Sequence, residues 1–162
     1  MDMEVENIAV RKTVTVNAPV DHVFRTFTAG QNEWWPRAHH IGTSERFTAI
    51  LEPRVSGRWY ERGDDGSECD WGRVLVWQEP TRIVMIWGIG ADWRYDPELR
   101  TEVEVRFIAE SARRTRVELE HRHLERFGDK AEQMRKTFES PDAWAGTLAT
   151  MRNCAEKEDP HS

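Results

Sequence analysis

The sequence is short of several things. It has two cysteines in 162 residues, Cys69 and Cys154. Their spacing fits neither a paired-thiolate metal site nor a C-x-x-C redox motif, so free thiols in a reducing compartment are the expectation. No apolar run approaches the roughly 20 residues that a bilayer-spanning helix needs. The opening MDMEVENIAV is acidic and lacks the apolar core of a signal peptide, so a cytoplasmic location is expected. Positive charge is also scarce: 23 Lys and Arg stand against 29 Asp and Glu, a net charge of −6, with no basic stripe. That argues against a nucleic-acid partner, whose phosphates need such a stripe. There is no G-x-S-x-G nucleophile elbow. The stretch GIGADW at 88–93 has no helix pattern after it, which argues against a phosphate-cradling loop.

Tryptophan, in contrast, is plentiful, with eight residues. A large ring with a single N–H donor serves either dense packing or the wall of a cavity. Residues 8–16 alternate: Ile8, Val10, Val14 and Val16 share one parity, while Arg11, Thr13 and Thr15 share the other. This is a strand with one wet face. Val20, Val23, Phe24 and Phe27 then follow helical spacing, with Pro19 suited to the first turn and Asn17 as a polar start signal. QNEWWP predicts a second short helix, stopped before Pro36. Strands are expected over 47–52, 55–62, 68–78, 82–88, 101–109 and 114–122, separated by turn signals at Pro53, GDDG, QEPT and ESAR. Phe127, Ala131, Met134 and Phe138 fit a short helix. A long one follows from Ser140 as cap and Pro141 as first residue, with Trp144, Leu148, Met151 and Ala155 as its apolar stripe. The fold class is therefore α+β: a single domain spanning 1–162, ordered over about 6–156, with a curved seven-stranded antiparallel sheet covered by one C-terminal helix. One helix over so wide a sheet leaves room for a cavity.

The hairpin GRWYERGDDGSECDWGRV at 57–74 carries the sharpest structural expectation. Val55, Gly57, Trp59 and Glu61 share the inward parity; Arg54, Arg58, Tyr60 and Arg62 face out. Two turns are open. A two-residue Asp65-Gly66 turn sets Glu61 against Asp70 and Trp59 against Gly72. A type I turn with Gly66 in the left-handed bulge position sets Glu61 against Cys69 and Trp59 against Trp71. The second is favoured, because it avoids two inward acids and pairs two indoles. It requires a bulge near Gly72 to return Val74 to the inside.

VTVNAPVDHVFRTFT at 14–28, the segment from Leu51 to Trp87 and the helix from SPDAWAGTLATM, together with the element order, carry a resemblance covering nearly the whole chain. The sequence resembles the helix-grip fold of the START and birch-pollen-allergen-like superfamily. Its closer likeness is to the branch named after activators of the heat-shock-protein-90 ATPase. The resemblance implies a sheet wrapped around the long helix and, in members that are understood, binding of apolar small molecules, a co-chaperone role, or cyclisation and aromatisation of polyketides. Eukaryotic co-chaperones of that family carry an additional N-terminal domain, for which this length leaves no room, so that role is the least expected.

Candidate site residues follow from parity and position. Glu61 is an inward carboxyl between Trp59 and Trp71, and is either a paired or base-like group or simply solvated at the hairpin end. His121 and His123 share parity with Val117 and Leu119, as polar groups in a cavity or at its mouth. With Glu61 they would make a metal triad, but ordinary hydrogen bonds are favoured, and neither a metal nor a cofactor is expected. Trp34, Trp35, His39 and His40 in WWPRAHH lie where the fold places a cavity entrance, or else plug the core. Trp87, Trp93 and Trp144 are further liners. The expected function is binding of a small hydrophobic or aromatic molecule, with Trp34, Trp35, Trp59, Glu61, Trp71, Trp87, His121, His123 and Trp144 as its contacts. A cyclase-type enzyme using Glu61 or a histidine as general base stays open. So do a homodimer and a chaperone partner.

Overall fold

The alternating segments become a seven-stranded antiparallel sheet in the order β1-β7-β6-β5-β4-β3-β2. The computed structural model describes residues 8–158; expectations for residues 6–7 and for the tail beyond 158 fall outside these. The strands are β1 Val10–Val16, β2 Phe47–Leu51, β3 Arg58–Gly63, β4 Glu68–Gln78, β5 Arg82–Trp87, β6 Thr101–Ser111 and β7 Arg114–Arg122. Each later strand pairs with its sequence neighbour, whereas β1 crosses to the far edge and pairs with β7. Helices α1 (Val20–Phe27) and α2 (Gln31–Trp34) follow β1; α3 (Ala131–Glu139) and α4 (Gly146–Glu158) end the described chain. A 3-10 turn at Leu124–Lys130, which takes in Phe127, precedes α3. The sheet curls around α4, the helix-grip arrangement. None of the helices in the described residues is long and apolar enough to cross a membrane.

The inner face is the apolar parity of each strand. Val103, Val105 and Phe107 of β6 and Val117 and Leu119 of β7 are buried against Phe24, Phe27, Leu148 and Met151 of the helices. Rings of Phe24 and Phe27 meet Phe107 edge-on at 5.1 and 5.6 Å.

Four expectations needed correcting. Strand β3 starts at Arg58 rather than at 55. Residues 54–57 form a turn closed by the Gly57 N–H to the Arg54 carbonyl, with Ser56 at φ +68°. Val55, expected inside, is therefore exposed. Glu61 does face Cys69, but Trp59 stands opposite Gly72, because the bulge falls on Trp71 itself. Gly72 is needed there, since a Cβ would lie 1.6 Å from the Ile86 carbonyl oxygen of β5. Finally, the long helix does not run from Pro141. Pro141–Ala145 form a separate wide turn, broken at Ala143 (ψ −123°), and the Ser140 side chain makes no cap. Nor does Asn17 cap α1, whose N-terminal cap position is Pro19; the Asn17 N–H bonds Glu156 at 2.8 Å.

The outer face of the sheet is ionic. Glu104 accepts from Arg82 at 2.6 Å, from Arg106 at 2.8 Å and from Arg122. Burial raises the Glu104 pKa, but the three guanidiniums outweigh it and hold the carboxyl down at about 2. A depressed carboxyl pKa stabilises the fold above its unfolded value of 4.5, and that contribution disappears as pH falls towards 2. Glu104→Gln is expected to cost about 2 kcal/mol in urea unfolding at pH 7. The gap between variant and wild type should close as the pH is lowered from 4.5 towards 2.

Candidate functional site

Four tryptophans from four places in the chain meet at one end of the sheet. Trp35 follows α2, Trp71 is the bulged residue of β4, Trp87 ends β5 and Trp144 sits in the wide turn before α4. Trp71 keeps the inward parity of Cys69, and the bulge makes Gly72 a second successive inward residue. Trp35 lies on Trp71 with centroids 5.0 Å apart, and Trp87 meets Trp144 at 5.6 Å. Such tilted and edge-on contacts suit the charge distribution of the rings. The rings border a cavity of about 430 Å³, within the usual range for a small-molecule site. Ile89, Trp93 and Phe138 extend its apolar wall; His39, His40, Ser140 and Asp142 supply its polar part. Trp93 is half-exposed and held at φ +61°, at the tip of the loop after β5.

The N–H groups of the six buried indoles are accounted for one by one. Trp71 donates to Glu61 Oε1 at 2.9 Å, Trp144 to His121 Nδ1 at 3.1 Å and Trp35 to the His39 carbonyl at 2.8 Å. Trp59 donates to Gln31 Oε1 and Trp34 to the Thr26 carbonyl, both at 2.7 Å. Trp87 Nε1 is the exception: it is buried and makes no hydrogen bond among the described residues. A buried donor left unmade costs about 1–3 kcal/mol.

Glu61 is 2% exposed and stands behind the cavity wall. Its carboxyl accepts the Ile41 N–H at 2.7 Å, the Gly42 N–H at 3.1 Å and the Trp71 indole. These three bonds fix the loop that forms the cavity lip and set the Trp71 ring. The solvated alternative for Glu61 does not hold, and neither oxygen is turned to the cavity as a base. His121 is fully buried. An indole can only donate, so its Nδ1 accepts. The Thr101 hydroxyl spends its proton on the Trp87 carbonyl at 2.8 Å, so His121 Nε2–H donates to Thr101 Oγ1 at 2.9 Å. Burial holds the His121 pKa down at about 3, and the ring is neutral with both nitrogens engaged.

Of the residues singled out in the sequence, the structure brings Trp35, His39, His40, Trp71, Trp87, Trp93 and Trp144 to the cavity. It places Trp34 and Trp59 in the core, and Glu61 and His121 behind the wall as hydrogen-bond partners. His123 is elsewhere. Its backbone turns left-handed at φ +63° where β7 ends, which breaks the parity, and its ring meets Glu125 at 3.3 Å. No cluster of three metal-ligating side chains occurs among the described residues. Sequence reasoning missed Gln31 and Thr101 as indole and imidazole partners, because neither pairing leaves a local pattern. Asp142 reads in the sequence as a helix-start charge, and the break at Ala143 carries it to the cavity.

Glu61→Gln replaces one acceptor oxygen by a donor facing N–H groups. It is expected to lower stability by about 2–3 kcal/mol, and to speed hydrogen exchange at the Ile41 and Gly42 amides, measured by NMR. Unchanged exchange there would show that the lip is held by other contacts. Because His121 must stay neutral to fold, stability is fully present above about pH 6.5 and falls as the unfolded chain takes up this proton down to about pH 3. His121→Gln is expected to flatten that part of the unfolding profile.

The family model described as activator of Hsp90 ATPase homolog 1-like protein matches residues 17–153. Among solved structures, an anthrahydroquino-gamma-pyrone synthase, Txn09, complexed with SUM, is 40% identical over 93% of this chain and 99% of that one, with a TM-score of 0.64. The self-sacrificing resistance protein CalC from Micromonospora echinospora is 29% identical over 95% and 97%, with a TM-score of 0.67. The Aha1 dimer from Colwellia psychrerythraea, at 14% identity over 92% and 96% and a TM-score of 0.59, is alike in fold alone. No curated protein sequence matches significantly. With the helix-grip sheet in place and a family model spanning most of its length, the chain belongs to the activator of Hsp90 ATPase homolog 1-like family.

Proposed function

We propose that the protein binds a planar, polycyclic aromatic small molecule in the tryptophan-bordered cavity. The observation that carries this reading is the cavity itself, about 430 Å³ with five indoles in its wall. Flat rings stacked or edge-on against indoles gain contact area at little entropic cost. Three of those indoles have their N–H groups satisfied from behind, so they present only apolar surface to a ligand. The 40% identical relative is by its title an anthrahydroquino-gamma-pyrone synthase, which supports a fused-ring ligand.

The same relative favours a second reading, in which the pocket closes a ring on such a molecule. In that case neither Glu61 nor His121 serves as the base, since their oxygens and nitrogens are already bonded within the wall. The chaperone reading rests on the family name alone and is not carried further.

Titrating the protein with anthraquinones and with a fatty acid of similar apolar area, followed by tryptophan fluorescence, tests the binding reading. Saturable quenching at one ligand per chain by the fused-ring compounds, with no such response to the fatty acid, is expected. An absence of saturable quenching across a panel of three- and four-ring aromatics would rule the reading out.

A further inference from the structure

Resting on that aromatic-pocket reading, one buried hydroxyl in the cavity wall specifies the ligand further. Buried threonines elsewhere in the described residues spend their hydroxyl protons inside the fold. Thr115 donates to the Ala18 carbonyl at 2.9 Å. Thr26 and Thr28 donate to the carbonyls four residues back, those of His22 at 2.9 Å and Phe24 at 2.8 Å. Thr147 is 2% exposed, and among the described residues its hydroxyl makes no hydrogen bond. The backbone explains the exception. Thr147 is the second residue of α4, and the carbonyl four residues back belongs to Ala143. There the chain leaves helical geometry at ψ −123°, and that carbonyl accepts the Gly146 N–H. The back-bond that satisfies a helical threonine is therefore not made.

Thr147 also borders the cavity, which no other buried polar or charged side chain does among the described residues. Its oxygen keeps accessible surface, whereas Trp87 Nε1 is sealed off. The remaining polar liners, His39, His40, Thr137, Ser140 and Asp142, are half-buried or exposed. We propose that the Thr147 hydroxyl is the polar anchor of the cavity, selecting fused aromatic ligands that carry a ring oxygen over bare hydrocarbons of the same size. A threonine hydroxyl has one proton to donate and lone pairs to accept with. It meets a ketone as a donor and a phenol as an acceptor. The anchor stands three residues after Trp144, whose ring His121 fixes, so apolar face and polar point belong to one wall. A hydrocarbon fills the same space and leaves the hydroxyl unpaired, and that loss supplies the discrimination.

Affinities of 9-fluorenone, 2-hydroxyfluorene and fluorene, similar in size, measured by tryptophan fluorescence, test this. The preference is read as the affinity for each oxygenated compound relative to fluorene. Thr147→Val exchanges the hydroxyl for a methyl group. It is expected to weaken binding of at least one oxygenated compound about fivefold and to leave fluorene unchanged. The ketone weakening identifies the hydroxyl as a donor, the phenol weakening as an acceptor. Thr147→Ser should keep the wild-type preference. Because the hydroxyl bonds nothing within the fold, ligand-free Thr147→Val should melt at or above the wild-type temperature. Thr115→Val removes a bonded hydroxyl, and should melt about 3 °C lower with the preference intact. Three results overturn the assignment while leaving the aromatic pocket standing: equal changes for all three compounds in Thr147→Val, no change for any, or a melting temperature lowered as far as by Thr115→Val. Failure of every three-ring compound to bind the wild type overturns both.

Discussion

The Glu61 carboxyl is the contact on which the cavity depends. It is a polar group on a largely apolar sheet face, and it is accommodated because three N–H donors converge on it. Two of them are backbone amides of the loop at 41–42, so that loop is held on the sheet by a side chain. The third is the Trp71 indole, so the same carboxyl orients a ring of the wall. Polar groups buried this way are costly when half satisfied and rigidifying when complete. The space around Glu61 is tight: a Cβ on Gly42 would come within 2.8 Å of its Oε2. The lip, the ring and the carboxyl therefore form one unit.

His121 repeats the device on the other side. Its Nδ1 accepts from the Trp144 indole, its Nε2–H donates to Thr101 Oγ1, and the Thr101 hydroxyl in turn donates to the Trp87 carbonyl. Two wall tryptophans are thus pinned from behind by buried polar side chains that never touch the cavity. The consequence is a wall of rigid apolar faces. Tryptophan suits this arrangement, because its single donor fixes the ring when it is bonded behind the wall.

Much of the fold was legible because it rests on local periodicity. Val103, Val105 and Phe107 against Glu102, Glu104 and Arg106 identify both the strand and its inner face, and the structure keeps that division. The Gly66 turn was readable from DDG, and it fixed Glu61 opposite Cys69. Parity failed where the backbone leaves regular geometry. Val55 lies in a turn and His123 on a left-handed residue, and each departs from the alternation that assigned it, whereas Trp71 keeps its inward side and loses only Trp59 as its cross-strand partner. The helix rule failed at Ala143 for a similar reason. Proline at position 141 favours a start there, but the chain spends one irregular turn bringing Trp144 to His121 before α4 begins.

What the sequence determined by itself is the set of elements, their order and the apolar face of each, together with the wealth of indoles that implied a wall. These follow from side-chain period and turn chemistry, which act within a few residues. Only the tertiary structure decided which residues meet the cavity. Glu61 and Ile41, His121 and Trp144, and Trp59 and Gln31 are 20, 23 and 28 positions apart. A hydrogen bond across such a separation leaves no periodic trace. It is set by the curl of the sheet, the bulge at Trp71 and the break before α4, and those fix which polar atoms are spent in the wall.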